Sequence, residues 1–258
     1  LGYSMPRTGK DRTPVYIDEI QLREYFLPTF QAAINAGAAT VMINSGELNG
    51  IPVHADKKIL TDLLRSELGF KGVAVTDWED IMKLNNIHMV APTLKDAVYM
   101  AIDAGIDMCM VPNDYDFTIL LTELVKEGKI SEARLDVSVK RILELKKQLG
   151  LFEQPFTPAN TDYKKFGSTE FARAAQNMAE ESITLLKNNN QVLPIQQSAK
   201  ILVTGPAANS MTYLNGAWTR TWQGSDTIWN DQSKYTIREA FNPATTTFIA
   251  SDNMSDTD

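Results

Sequence analysis

The sequence predicts an α/β protein with a parallel sheet, and three features carry that reading. The strand-like stretches are short and continuously apolar. They alternate with stretches whose apolar residues recur at helical spacing. A glycine closes nearly every one of those helical stretches before the next strand begins.

Taken in order, Leu22, Phe26, Phe30, Ala33 and Ile34 define one helical face, and Gly37 ends that helix. AATVMI, residues 38–43, reads as a strand. A second helix carries Leu60, Leu63, Leu64 and Leu68 and stops at Gly69. VAV, residues 73–75, is the next strand. A third helix carries Leu94, Ala97, Val98, Ala101 and Ile102 and ends near Gly105, and MCMV, residues 108–111, follows as a strand. Phe117, Leu120, Leu121, Leu124 and Val125 mark a fourth helix, closed by Gly128. Ser131 caps a fifth, which carries Leu135, Val139, Ile142 and Leu149. Two architectures fit this pattern, an open doubly wound sheet and a (β/α)8 barrel. In both, chemistry gathers at the C-terminal strand ends. Those ends are Asn44-Ser45, Asp77-Trp78 and Pro112-Asn113-Asp114.

The composition changes at EQPFTPANTDYKKFGS, residues 153–168, which reads as a linker. A helix with Phe171, Ala174, Ala175, Met178, Ile183 and Leu186 follows. KILVTGP, residues 200–206, then reads as a strand opening a second α/β domain. The expected division is 1–153, a linker over 154–170, and 171–258. The chain begins with Leu1 rather than methionine, and three strands precede the linker where a closed barrel needs eight. An internal fragment of a longer protein is therefore expected.

Bulk properties narrow the function classes. The 258 residues are 43% hydrophobic and 22% charged, with a net charge of -7, and carry no basic cluster long enough for a nucleic acid backbone. No apolar run approaches the roughly 20 residues of a membrane span. The N-terminus lacks the basic-then-apolar pattern of a signal peptide. The single cysteine, Cys109, sits in an apolar run and reads as a core residue. With two histidines, His54 and His88, a histidine-based metal site or catalytic triad has little to draw on. TGPAAN lacks the repeated glycines of a dinucleotide loop. Trp218, Trp222 and Trp229 form an aromatic patch that reads as a stacking surface for a ligand or, more plainly, as fillers of a domain interface.

GFKGVAVTDW, residues 69–78, raises the sharpest question: a carboxylate and a wide ring end a buried strand. The bland answers are a helix cap for Asp77 and loop packing for Trp78. The functional answer is a reactive carboxylate beside a ring on which the C–H face of a sugar stacks. Here the residues match a family. The segment resembles the nucleophile region of glycoside hydrolase family 3, the β-glucosidase and β-xylosidase family. The likeness runs through VMINSGELNGIPVHADKKILTDLLRSELGFKGVAVTDWEDI, residues 41–81, and through AIDAGIDMCMVP and RLDVSVKRILELKKQLGLFEQP. It continues in ESITLLKNNNQVLPI, residues 181–195, and NGAWTRTWQG, residues 215–224.

The resemblance implies the C-terminal part of a (β/α)8 TIM barrel followed by the start of an α/β/α sandwich. It implies that Asp77 is the nucleophile of a retaining exo-β-glycosidase, with a second carboxyl group about 5–5.5 Å away as acid/base. Trp78 then flanks the sugar and tilts the substrate towards glucose or xylose rather than N-acetylglucosamine. Ser45 stands where the family often bears tyrosine, and lines the sugar site or a plain turn. The family's Lys-His pair and its sugar-holding arginine are expected before Leu1, and its acid/base glutamate beyond Asp258. Glu180, Glu181 and Glu239 are not assigned to that role. Glu47 reads as an exposed turn residue, His54 as a structural hydrogen-bonding group, and the segment 79–93, with His88, as a cover over the cleft. Arg7, Lys10, Asp11 and Arg12 make a charged loop that would follow a strand end in the intact barrel, and read as a sugar-hydroxyl contact or, more plainly, as a solvated loop. No cofactor and no metal is expected. The partner is a small-molecule glycoside, and relatives are commonly exported to the periplasm or beyond. The rival is a noncatalytic, carbohydrate-binding relative.

Overall fold

A computed structural model of the chain describes residues 5–10, 12–113, 115–156, 161–196, 199, 201–219, 221–222, 224 and 226–241. The chain divides into two compact units, Leu1–Asn160 and Thr161–Asp258.

In the first unit, α1 begins at Asp18, whose carboxylate accepts the Gln21 N–H at 2.8 Å. It runs through three consecutive stretches, Glu19–Gln21, a wide π-helical turn Leu22–Phe26, and Leu27–Asn35. Gly37, at φ 90°, turns the chain into β1, Thr40–Met42. A short hairpin follows, β2 Glu47–Leu48 and β3 Ile51–Pro52, paired antiparallel. Its turn is Asn49-Gly50, both at positive φ, the pairing that suits the twist of a two-residue hairpin. Helix α2, Lys58–Glu67, is π-helical and buries Ile59, Leu60, Leu63 and Leu64. Strand β4, Val73–Trp78, is longer than the expected 73–75 and reaches the aspartate and the tryptophan.

The segment after β4 corrects an expectation. It forms α3, Asp80–Asn86, which buries Asp80, Ile81 and Leu84. Residues with no accessible surface belong to a packed layer, so this part of 79–93 is core rather than a cover. Helix α4, Leu94–Ala104, is capped by the Thr93 side chain, and β5, Met108–Met110, follows. Helices α5, Asp116–Lys126, and α6, Glu132–Gln148, complete the unit, the latter capped by Ser131 as expected. The three strands form one parallel sheet in the order β1-β4-β5. The helices that intervene in sequence bury their apolar faces in a single cluster that includes Leu60, Leu64, Ile81, Val98, Ile106 and Leu124.

One carboxylate organises the N-terminal end of the sheet. Asp107 precedes β5, and its side chain has no exposed surface. Its Oδ2 accepts Arg65 Nη2 at 2.6 Å and the Ala74 N–H at 3.0 Å; its Oδ1 accepts Ser138 Oγ at 2.6 Å and Arg141 Nη1 at 2.8 Å. Arg134 lies 4.0 Å away and donates to the Ile102 and Ile106 carbonyls. All four acceptor positions are filled, which is what a buried carboxylate requires.

In the second unit, α7, Thr169–Ser182, is capped by Ser168, and two short helices follow, α8 Met211–Asn215 and α9 Ile237–Ala240. No hydrophobic side chain among its described residues is buried. The expected strand at 200–206 is absent from the described part, 201–206. A strand exists only where a neighbour supplies a hydrogen-bonding ladder, and among the described residues none pairs with it.

The Asp107 cluster yields a stability prediction. Asp107→Ala strips two arginines of their buried partner and is expected to cost roughly 3–5 kcal/mol, read as a lower urea midpoint. A change below about 1 kcal/mol would show that the cluster does not hold the sheet.

Candidate active site

Asp77 lies on β4, one residue short of its C-terminal end. The strand is irregular there. Val75 pairs with Met108 and Trp78 with Met110, so β4 advances three residues while β5 advances two. The extra residue is a β-bulge, a device that re-aims side chains at strand ends. Two bonds fix it: Thr76 Oγ1 accepts the Met110 N–H at 2.8 Å, and the Glu79 N–H donates to the Met110 carbonyl at 2.8 Å. Glu79 closes the strand in the left-handed region, at φ 58°, and accepts a bond from the Asn113 amide. Non-glycine residues are held there at a cost, and such strain concentrates at functional sites.

Three donors meet the Asp77 carboxylate. Arg12 Nη2 and Ser45 Oγ donate to Oδ2 at 2.7 and 3.0 Å, and the Trp78 N–H donates to Oδ1 at 2.6 Å. Partial burial pushes the carboxyl's pKa up. The Trp78 amide, Arg12 and Ser45 together outweigh it, so Asp77 sits below the usual aspartate value and is ionised at neutral pH. The Trp78 side chain beside it is 49% exposed.

The β2–β3 hairpin builds the Arg12 side of the site. Val15 lies against β2: its N–H donates to the Glu47 carbonyl at 2.9 Å, and its carbonyl accepts the Asn49 N–H at 2.8 Å. The Asn49 side chain holds Ile17 at both its N–H and its carbonyl. These bonds fix residues 15–17, and the chain just before them carries Arg12 to Asp77. The expectation of a solvated loop is therefore wrong for Arg12, whose guanidinium forms an ion pair with Asp77; its side chain keeps 38% of its surface. Asp11 lies outside the described residues, as does Asp114 at the end of β5. Glu47 is likewise not a free turn residue. It sits in β2, and its Oε1 lies 2.7 Å from His88 Nδ1, tying the hairpin to the segment after α3.

Behind the strand end is a drier cluster. Asp80 and His54 are both buried, with Asp80 Oδ2 3.6 Å from His54 Nε2. That separation is beyond a hydrogen bond, and among the described residues neither atom has a hydrogen-bond partner. Lys83 bridges outward: its Nζ donates to Asp80 Oδ1 at 2.5 Å and to the Trp78 carbonyl at 2.8 Å. The backbone of Trp78 is thus held from both sides, by Asp77 in front and Lys83 behind.

Sequence reasoning placed Asp77, Trp78 and Ser45 at neighbouring strand ends, and the fold brings them together. It raised Arg12 only as a sugar contact or a solvated residue and missed its bond to Asp77, 65 residues away in sequence. The Asn49-Gly50 signal was available and, read as a hairpin, points to a docking edge for the preceding segment. Among the described residues no group of three histidine, cysteine, aspartate or glutamate side chains is placed to hold a metal. Burial pushes the Cys109 thiol up to about 12, which removes it as a nucleophile.

The fold and site define the class first: a parallel α/β protein with an ionised carboxylate, a cation and an exposed ring gathered at the C-terminal strand ends, where such folds do their chemistry. The family follows from comparison. Residues 1–145 match the glycosyl hydrolase family 3 N terminal domain. Over 229 residues the chain is 52% identical to a lysosomal beta glucosidase of Dictyostelium discoideum, an alignment covering 87% of this chain and 28% of that protein. It is 34% identical over 225 residues to a periplasmic beta-glucosidase of Salmonella typhimurium, covering 84% and 29%. It superimposes on a beta-glucosidase from Listeria innocua in complex with glucose with a TM-score of 0.76 at 33% identity, covering 97% of this chain and 34% of that one. The chain belongs to glycosyl hydrolase family 3, and spans under a third of the length of those two curated relatives.

The buried histidine makes a testable contribution. Burial lowers the pKa of His54 from 6.5 to about 4. The unfolded chain therefore takes up a proton at His54 that the folded chain refuses, and stability falls as pH drops through this window. Of the stability lost between about pH 7 and about pH 4.5, roughly 2 kcal/mol is expected to come from His54. His54→Gln should remove that share, measured by urea unfolding at both pH values; an unchanged slope would contradict it.

Proposed function

We propose that this chain is the nucleophile-bearing part of a retaining β-glycosidase that releases terminal β-D-glucosyl residues. The observation that carries the reading is the Asp77 carboxylate, ionised at a strand end with an exposed ring beside it. In the first step a lone pair of an Asp77 oxygen bonds to the anomeric carbon. The glycosidic C–O bond breaks, and the leaving oxygen keeps its electron pair and takes a proton from the acid/base group. In the second step water attacks the same carbon and gives a proton to the acid/base group, while the bond from that carbon to the Asp77 oxygen breaks and its electron pair returns to the carboxylate. Two inversions give retention.

Trp78 supplies the apolar face for the sugar ring, and Ser45 and Arg12 keep the carboxylate charged and oriented. Residues 1–153 would be part of a (β/α)8 barrel and 171–258 the opening of an α/β/α sandwich. The acid/base glutamate would lie beyond Asp258 and the Lys-His pair before Leu1. Glucose is supported as the sugar by the names of the relatives and by the glucose complex of the Listeria enzyme. A periplasmic relative supports export.

Two substitutions test this, made in a protein extended beyond Leu1 and Asp258 to the length of its relatives. Asp77→Ala should lower aryl β-glucoside hydrolysis roughly 10³-fold or more with the fold intact; unchanged turnover would remove Asp77 from the reaction. Trp78→Ala should raise KM by up to about tenfold, the worth of one aromatic stacking contact; an unaltered KM would mean that the sugar does not rest on this ring.

A further inference from the structure

The Asp77 carboxylate is held unevenly. Oδ2 carries two bonds, from Arg12 and Ser45, while Oδ1 carries one, from the Trp78 amide. With two acceptor positions on each oxygen, Oδ1 is the oxygen with a lone pair to spare among the described residues. Arg12 is not held to Asp77 by chance of side-chain rotation. Its residue is at φ 59°, in the left-handed region, and the chain that carries it is bonded to the hairpin three residues later. Among the described residues no other cation is hydrogen-bonded to Asp77. On the buried side, Lys83 and His54 face Asp80; Glu79 meets the Asn113 amide, and Glu47 meets His88.

We propose that Arg12 is a positioning residue that divides the work of the two carboxylate oxygens, anchoring Oδ2 so that Oδ1 attacks, and that it favours release of the sugar from Asp77 over its capture. The inference rests on the proposed nucleophile role of Asp77. A cation on the carboxylate stabilises the anion. It therefore makes Asp77 a weaker base towards the anomeric carbon but a better leaving group from it. In the ester, Oδ2 is the carbonyl oxygen. As water bonds to the anomeric carbon and the C–Oδ1 pair returns to the carboxylate, charge spreads onto Oδ2, where the guanidinium waits. Arg12 thus speeds the second step and restrains the first. It also extends the ionised range of Asp77 to lower pH.

The test compares Arg12→Gln and Arg12→Lys in the protein extended beyond Leu1 and Asp258. The side chain is partly exposed and carries no core packing, so both variants should fold. In Arg12→Gln the acidic limb of kcat/KM should move up by about one pH unit. Reactivation of enzyme blocked with 2-deoxy-2-fluoro-β-glucosyl fluoride should slow by about tenfold, while the rate of blocking falls far less. Arg12→Lys, which keeps the charge but not the planar fork, should lie between Gln and wild type on both measures. A limb that stays in place, with both steps reduced equally, would show that Arg12 serves only to hold its loop and would overturn the inference while leaving Asp77 as nucleophile. If Asp77→Ala keeps its activity, the nucleophile reading fails and the inference falls with it.

Discussion

A carboxylate that must stay charged at a half-dry strand end needs donors, and supplying them to Asp77 is the constraint around which this site is arranged. Partial burial acts against ionisation; one backbone amide, one hydroxyl and one guanidinium act for it and prevail. Each donor comes from a different piece of chain. The amide belongs to β4 itself, the hydroxyl to the turn after β1, and the guanidinium to the segment docked on the hairpin. The β-bulge, the Asn49-Gly50 turn and the left-handed residues Arg12 and Glu79 are local irregularities that serve this one convergence.

The sheet carries a second arginine-bound aspartate, and the contrast between the two separates structure from chemistry. Asp107 stands at the N-terminal end of β5, has no exposed side-chain surface, and fills every acceptor position. Nothing is left for a ligand, so its role is to join α2, β4 and α6. Asp77 stands at the opposite end of its strand, keeps about a third of its side-chain surface, and has an acceptor position unused among the described residues. The same pairing of carboxylate and guanidinium is thus closed at one end of the sheet and open at the other, as parallel α/β folds arrange stability and reaction.

How much of this was legible in the sequence depends on the range of the interaction. The alternation of helix and strand, the glycine stops, the Ser131 cap and the Asp77-Trp78 strand end are local signals, and each is present in the structure. Ser45 was legible as a strand-end neighbour. Helix α3 was not, because a seven-residue helix has too few turns for its apolar spacing to stand out. The pairing of Arg12 with Asp77 was illegible for a firmer reason: it spans 65 residues and depends on a two-residue hairpin that positions the chain. The strand expected at 200–206 shows the opposite error over its described part, 201–206. Its apolar run satisfies strand propensity, but propensity forms a strand only where a partner ladder exists.

The nucleophile role of Asp77 is tested most directly by peptide mapping by mass spectrometry, after treating the protein, extended beyond Leu1 and Asp258, with 2-deoxy-2-fluoro-β-glucosyl fluoride. This reagent's fluoride departs with little help from an acid, so the result depends on the nucleophile itself. The account predicts a fluoroglucosyl adduct on the peptide that contains Asp77, lost when Asp77 is replaced by alanine. An adduct on another carboxylate, or none on a folded chain that still binds glucose, would contradict it.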